Sequence, residues 1–143
     1  MQADPTSEVS HRQTAAAPAV TVSVGARHDQ LPILRMLTEV VAMRNNCTLD
    51  QSADLKLAVD QICTLLISSA APDTEVTCRY GTVDDTFRIE LTARTVAEWY
   101  PEPGSLEWRI LSALADSIAI DQEPDTSGHA TTSTVTICTR KLV

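Results

Sequence analysis

Residues 20–24, VTVSV, alternate valine with small hydroxyl residues, the period of a half-buried strand, and Gly25 lets the chain turn after it. Asp29 is placed to cap a helix after that turn. From 30 to 45 the apolar positions Leu31, Leu34, Leu37 and Val41, with Ile33 and Val40 beside them, recur every three or four residues, which predicts a first helix with Pro32 in its first turn. Asn45 and Asn46 end it. A second helix is predicted over 51–70, capped by Thr48 or Asp50 and stopped by Pro72. Leu55, Ala58, Val59, Ile62, Cys63, Leu66, Ile67 and Ala70 make this helix apolar over most of its surface, as a central buried helix is.

Beyond Pro72 the pattern shortens to runs rich in β-formers, 75–80 and 86–93, read as a hairpin joined through Gly81 and the Asp84-Asp85 turn. A stretch bearing Pro and Gly, 100–104, leads to a third helix over 106–116, with Trp108, Leu111 and Leu114 apolar. A short strand at 117–121, a turn at 123–128 and a closing strand at 132–140 complete the order β-α-α-β-β-α-β-β. That order predicts an α/β (α+β) two-layer sandwich, a mixed and mainly antiparallel sheet with three helices on one face. Residues 1–18 hold two prolines and no apolar period, so they read as a flexible arm before a single domain over 19–143.

Charge narrows the partners. Eleven Lys and Arg stand against nineteen Asp and Glu, and without clustered cations direct binding to nucleic acid is not expected. The acidic balance favours solubility and attraction to basic protein surfaces. No apolar run approaches the roughly 20 residues that cross a bilayer, and 1–18 lack the basic start and apolar core of a secretory signal, so a cytoplasmic location is expected. Cys47, Cys63, Cys78 and Cys138 are scattered, with no metal-ligand spacing, and read as buried thiols. His11, His28 and His129 adjoin no nucleophile motif. Aromatic residues are scarce, which singles out the two tryptophans: Trp108 reads as core and Trp99 as an interface candidate.

The segment DLKLAVDQICTLLISSA (54–70), preceded by one strand and one helix, resembles the second helix of the anti-sigma-factor serine kinases, a branch of the histidine-kinase-type ATPase superfamily. Actinobacterial anti-sigma-F factors are nearest in pattern. The frame matches at Leu57, Ala58, Val59, Cys63, Thr64 and Ala70. PGSLEWRILSALADSI (103–118) looks like the family's Gly-rich segment and third helix, with Asp116 before the next strand, and SGHATTSTVTICTRKL (127–142) looks like its terminal strand.

The departures from the family pattern bear on chemistry. Gln61 and Leu65 occupy the positions of the family's Glu, which polarises the attacking group, and its Asn, which holds the magnesium of ATP; leucine supplies no oxygen ligand. The family's Asp-x-Gly-x-Gly, expected after a strand ending near Leu91, is replaced by Thr92-Ala93-Arg94-Thr95-Val96. Asp60 lies one residue from the Glu position, a rotation of about 100° on a helix, and reads as a solvated or capping carboxylate. Gly104 and Ser105 keep some phosphate-loop character or simply cap a helix; Thr131 and Thr132 are remnant phosphate contacts or ordinary strand residues.

The resemblance implies an anti-sigma factor that binds an RNA polymerase sigma factor, is released by a competing anti-anti-sigma antagonist, and dimerises through its first strand and helix. ATP and magnesium are not expected as cofactors, and kinase activity is not expected. The alternative is an active ATP-dependent protein serine kinase that phosphorylates its antagonist. Arg35 and Glu39, four residues apart on the first helix, are the expected partner contacts together with Trp99; the plain reading of the first two is an intrahelical ion pair.

Overall fold

The computed structural model describes residues 19–96 and 99–142; the arm expected at 1–18 lies outside the described residues. Strand β1 (Val20–Gly25) leads through a short 3-10 turn (His28–Gln30) into α1 (Leu31–Arg44). Helix α2 (Leu49–Ser68) follows, then β2 (Glu75–Val83), β3 (Thr86–Thr95), α3 (Leu106–Ser112), β4 (Ser117–Pro124) and β5 (Thr131–Arg140). The predicted order of elements holds throughout.

The sheet order is β1-β2-β3-β5-β4, and every neighbouring pair is antiparallel, so the expected mixed sheet has no parallel member among the described strands. Period-2 alternation sorts its side chains. Val76, Cys78 and Tyr80 of β2, Phe87, Ile89 and Leu91 of β3, and Val135 and Ile137 of β5 are buried on one face. Helices α1 and α2 cover that face, supplying Leu34, Val41, Leu55, Val59, Ile62 and Leu66, and α3 adds Leu111 to the same core. Among them Tyr80 is satisfied: its hydroxyl donates to Thr38 Oγ1 at 2.8 Å, and Thr38 donates to the Leu34 carbonyl at 2.7 Å.

Local chemistry sets the boundaries. Thr48, not Asp50, caps α2, in a capping box in which Thr48 Oγ1 accepts from Gln51 N and the Gln51 side chain accepts from Thr48 N. Asp29 caps nothing; it lies within the 3-10 turn and pairs with Arg27. Gly81 lies inside β2 rather than in the turn, and the hairpin turns on Asp84-Asp85, with Asp84 at φ 56. Helix α3 ends four residues before the expected Asp116, because β5 takes that residue: Asp116 N donates to the Cys138 carbonyl, and the Asp116 carboxylate accepts from Arg140 N at 2.6 Å.

Candidate functional site

Strand β3 does not end near Leu91. Residues 92–95 continue it, paired with Thr134, Ser133, Thr132 and Thr131 of β5, so the segment expected to follow the strand is locked into the ladder here. Ala93 and Thr95 are buried on the helix side of the sheet. On α2, Gln61 is exposed and Leu65 is half-buried against the core. Thr131 and Thr132 are consecutive strand residues, so their side chains point to opposite faces and do not act as a pair. Gly104 takes φ 86 at the start of α3, and Ser105 Oγ accepts from Trp108 N at 3.1 Å, an ordinary helix cap. These four residues are not assembled into one cradle.

Trp99 corrects the sequence reading most sharply. It is 5% exposed, and its ring meets Tyr100 edge-on at 5.5 Å, so it is a core anchor rather than a partner contact, while Trp108 is only half-buried. Its indole Nε1 donates to Ser133 Oγ at 3.0 Å. Ser133 Oγ also accepts from the Gln122 amide at 3.3 Å and lies 3.0 Å from Thr95 Oγ1. A hydroxyl offers two lone pairs and one proton. With both lone pairs taken, the Ser133 proton goes to Thr95, whose own proton then points to the Thr131 carbonyl, 3.4 Å away. The hub is therefore saturated by the chain itself. Nothing local in the sequence marks it, since its members are 34 and 38 residues apart.

No nucleophile–base pair forms among the described residues. His28 Nε2 lies 3.2 Å from Ser68 Oγ, but Ser68 donates its proton to the Thr64 carbonyl, so the imidazole is the donor there and cannot act as a base on that hydroxyl. Burial pushes the Cys63 thiol well up and the Cys78 thiol up to about 12, which keeps both protonated and inert. Among the described residues no group of His, Cys, Asp or Glu is placed to hold a metal ion.

On the helix layer, Arg35 and Glu39 do not pair with each other. Arg35 Nη1 contacts Asp60 Oδ1 at 2.8 Å and Glu39 contacts Lys56 Nζ at 3.5 Å, two ion pairs that bridge α1 to α2. Asp60 is thus a structural carboxylate. Beside this ladder runs a feature that the sequence reading merges with the buried stripe. Ile33, Met36, Val40 and Met43, spaced three, four and three, leave α1 with 48–68% of each residue exposed, opposite the buried Leu34, Thr38 and Val41. Met36 is the most exposed of the four, and a second apolar stripe on a helix that already buries one is the signal that was available. β1, an edge strand of the sheet, carries no charge and no proline.

No family model matches the chain. Two curated proteins do, each called anti-sigma-F factor RsbW, from the CDC 1551 / Oshkosh and H37Rv strains of Mycobacterium tuberculosis. Each is 35% identical over 121 residues, covering 82% of this chain and 72% of the relative. The fold is similar to that in the crystal structure of the RsbU and RsbW domains of Rv1364c from the same organism, with a TM-score of 0.67 at 14% identity; the match spans 87% of this chain and a third of that one. No helix of the described residues is long and apolar enough to cross a membrane. With more than four fifths of its length aligned at that identity, the chain belongs to the anti-sigma-F factor RsbW family.

Proposed function

We propose that this protein is an anti-sigma factor that sequesters an RNA polymerase sigma factor and gives it up to an anti-anti-sigma antagonist. The observation that carries the reading is the 35% identity to proteins named anti-sigma-F factor. A partner switch needs two ligands with overlapping sites and comparable affinity, and each shifts the other by mass action. The bridged charges Arg35, Asp60, Glu39 and Lys56 form the partner face. They are half-exposed, and charges of that kind set encounter rate and partner choice more than folding.

The protein works as a homodimer in this reading, with the α1 stripe and the uncharged β1 edge as the mutual surface. Catalysis is not part of it. Magnesium–ATP does not fit the donor set: Leu65 packs on the core, Gln61 is no base, the Ser105 hydroxyl is taken up by its cap, and Ser133 is saturated by Trp99, Gln122 and Thr95. Release then depends on competition alone. The test is a binding assay with purified sigma factors, with and without magnesium–ATP. Capture unaffected by nucleotide supports the proposal; capture that requires ATP, or labelled phosphate appearing on an antagonist, overturns it in favour of the kinase.

A further inference from the structure

Strand β4 ends the sheet on the side away from β1; among the described residues β5 is its only neighbour, and no other backbone segment bonds it. The turn fixes which of its groups are free. Asp125 N donates to the Ala130 carbonyl at 3.0 Å in the register of the β4–β5 ladder, so Asp125 is a hydrogen-bonded position, and alternation makes Glu123, Asp121 and Ala119 the same. Ile118, Ile120 and Gln122 therefore turn their N–H and C=O groups outward, to an open edge. Pro124, the next outward position, has no N–H and ends the run. The two faces of β4 differ in chemistry. Ile118 and Ile120 are half-buried against the core on the helix side, where the Gln122 amide bonds Ser133. Ala119, Asp121 and Glu123 are exposed on the other face, and the two carboxylate residues, about 7 Å apart along the strand, enter no ion pair among the described residues.

An open row of backbone donors and acceptors takes an added strand, and the side chains of β4 select which one. Residues set beside Ile118 and Ile120 gain burial if they are apolar, and residues set beside Asp121 and Glu123 are favoured if they are cationic. The edges of this chain supply no such strand: β1 carries no charge, and a second β4 would bring two more carboxylates to the same face. We propose that β4 is extended by an antiparallel strand of a partner protein in which apolar residues alternate with lysine or arginine. The apolar residues of that strand lie opposite Ile118 and Ile120 and exchange backbone hydrogen bonds with them, while its cations meet Asp121 and Glu123 on the other face. The edge is at the opposite side of the sheet from β1 and does not depend on the anti-sigma reading.

The experiment follows two-dimensional amide NMR and amide hydrogen exchange of the whole chain on titration with acetyl-Val-Lys-Val-Lys-Val-amide. The expected result is saturable shifts centred on β4, with slowed exchange at the Ile118, Ile120 and Gln122 amides. N-methylation of the central valine, whose N–H faces β4, should weaken binding at least about tenfold, whereas N-methylation of the second lysine, whose N–H points away, should leave it within about threefold. The Asp121→Lys, Glu123→Lys double variant, altered only at exposed positions, should bind the lysine peptide at least about tenfold more weakly and take up acetyl-Val-Glu-Val-Glu-Val-amide instead. Should that variant fail to fold, Asp121→Asn with Glu123→Gln should still weaken the lysine peptide several-fold. Slow exchange at the three amides in the free chain, no saturable response below about 5 mM, shifts that map to β1 or α1, equal effects of the two methylations, or undiminished binding by the charge variants overturns the proposal.

Discussion

Replacing Met36 by glutamate puts a charge at the most exposed position of the α1 stripe and tests whether that stripe is where two copies meet. Fully burying a Val, Ile or Met side chain is worth about 1.5–3 kcal/mol. With about half to two-thirds of each residue exposed, the four positions hold roughly 1–2 kcal/mol apiece in reserve, or about 4–8 kcal/mol per protomer. A two-fold axis doubles that sum. Association costs an estimated 4–15 kcal/mol, so the stripe and the β1 edge together suffice for a dimer with little margin. Met36→Glu removes about 1–2 kcal/mol from each side and sets two unpaired carboxylates against an apolar surface, a loss of at least about 3 kcal/mol, or more than about 100-fold in the dimer dissociation constant. Because the side chain points away from the core, circular dichroism of the variant should match the parent. Sedimentation equilibrium over a wide concentration range reads the result. A parent that is monomeric at about 100 μM, or a variant that dimerises as tightly as the parent, would refute the assignment.

Three further outcomes rest on particular contacts. Ser133→Ala strands the buried Trp99 N–H and should cost about 1–3 kcal/mol by denaturant melt, and a double-mutant cycle with Trp99→Phe should be non-additive; a loss under about 0.5 kcal/mol would mean the hub is not a buried network. Arg35→Gln removes the ion pair to Asp60 and should cost no more than about 1 kcal/mol of folding while weakening sigma capture at least about tenfold, and unchanged capture would take α1 out of the partner face. The Ser127 hydroxyl, first, and then the Arg94 guanidinium hold the Asp125 carboxyl down at about 2, so its stabilising effect is complete above the unfolded value near 3.9 and is lost as pH falls from there toward 2. Asp125→Asn should flatten the acid limb of stability in that window, and an unaltered acid limb would show that the turn contributes nothing to it.

Much of this fold is legible in the sequence because its signals are local. The Val-Thr-Val-Ser-Val alternation, the long apolar face of α2 and the Pro72 break need only neighbours in sequence to be read, and each marks an element of the right type. Partners distant in sequence decide the misreadings. β3 runs on to Thr95 because β5 offers Thr131 and Thr132 as ladder partners, and α3 stops short because Arg140 N captures Asp116. Trp99 departs from its expected place since only Ser133, 34 residues on, distinguishes it, while Trp108 packs, partly buried, against the core. On α1 the error is of another kind. Period 3.6 fits two stripes equally, and counting Ile33 and Val40 with the buried one hides the exposed surface.

Sequestration of a sigma factor without chemistry is most directly measured by run-off transcription. Core polymerase is combined with each purified alternative sigma factor of the source organism and titrated with this protein, in the presence and absence of a non-hydrolysable ATP analogue. For one sigma factor the account predicts inhibition that saturates at a fixed stoichiometry, is indifferent to the analogue, and is reversed by adding the antagonist in its unmodified form. Inhibition of none of them, or inhibition that appears only with nucleotide bound, would contradict it.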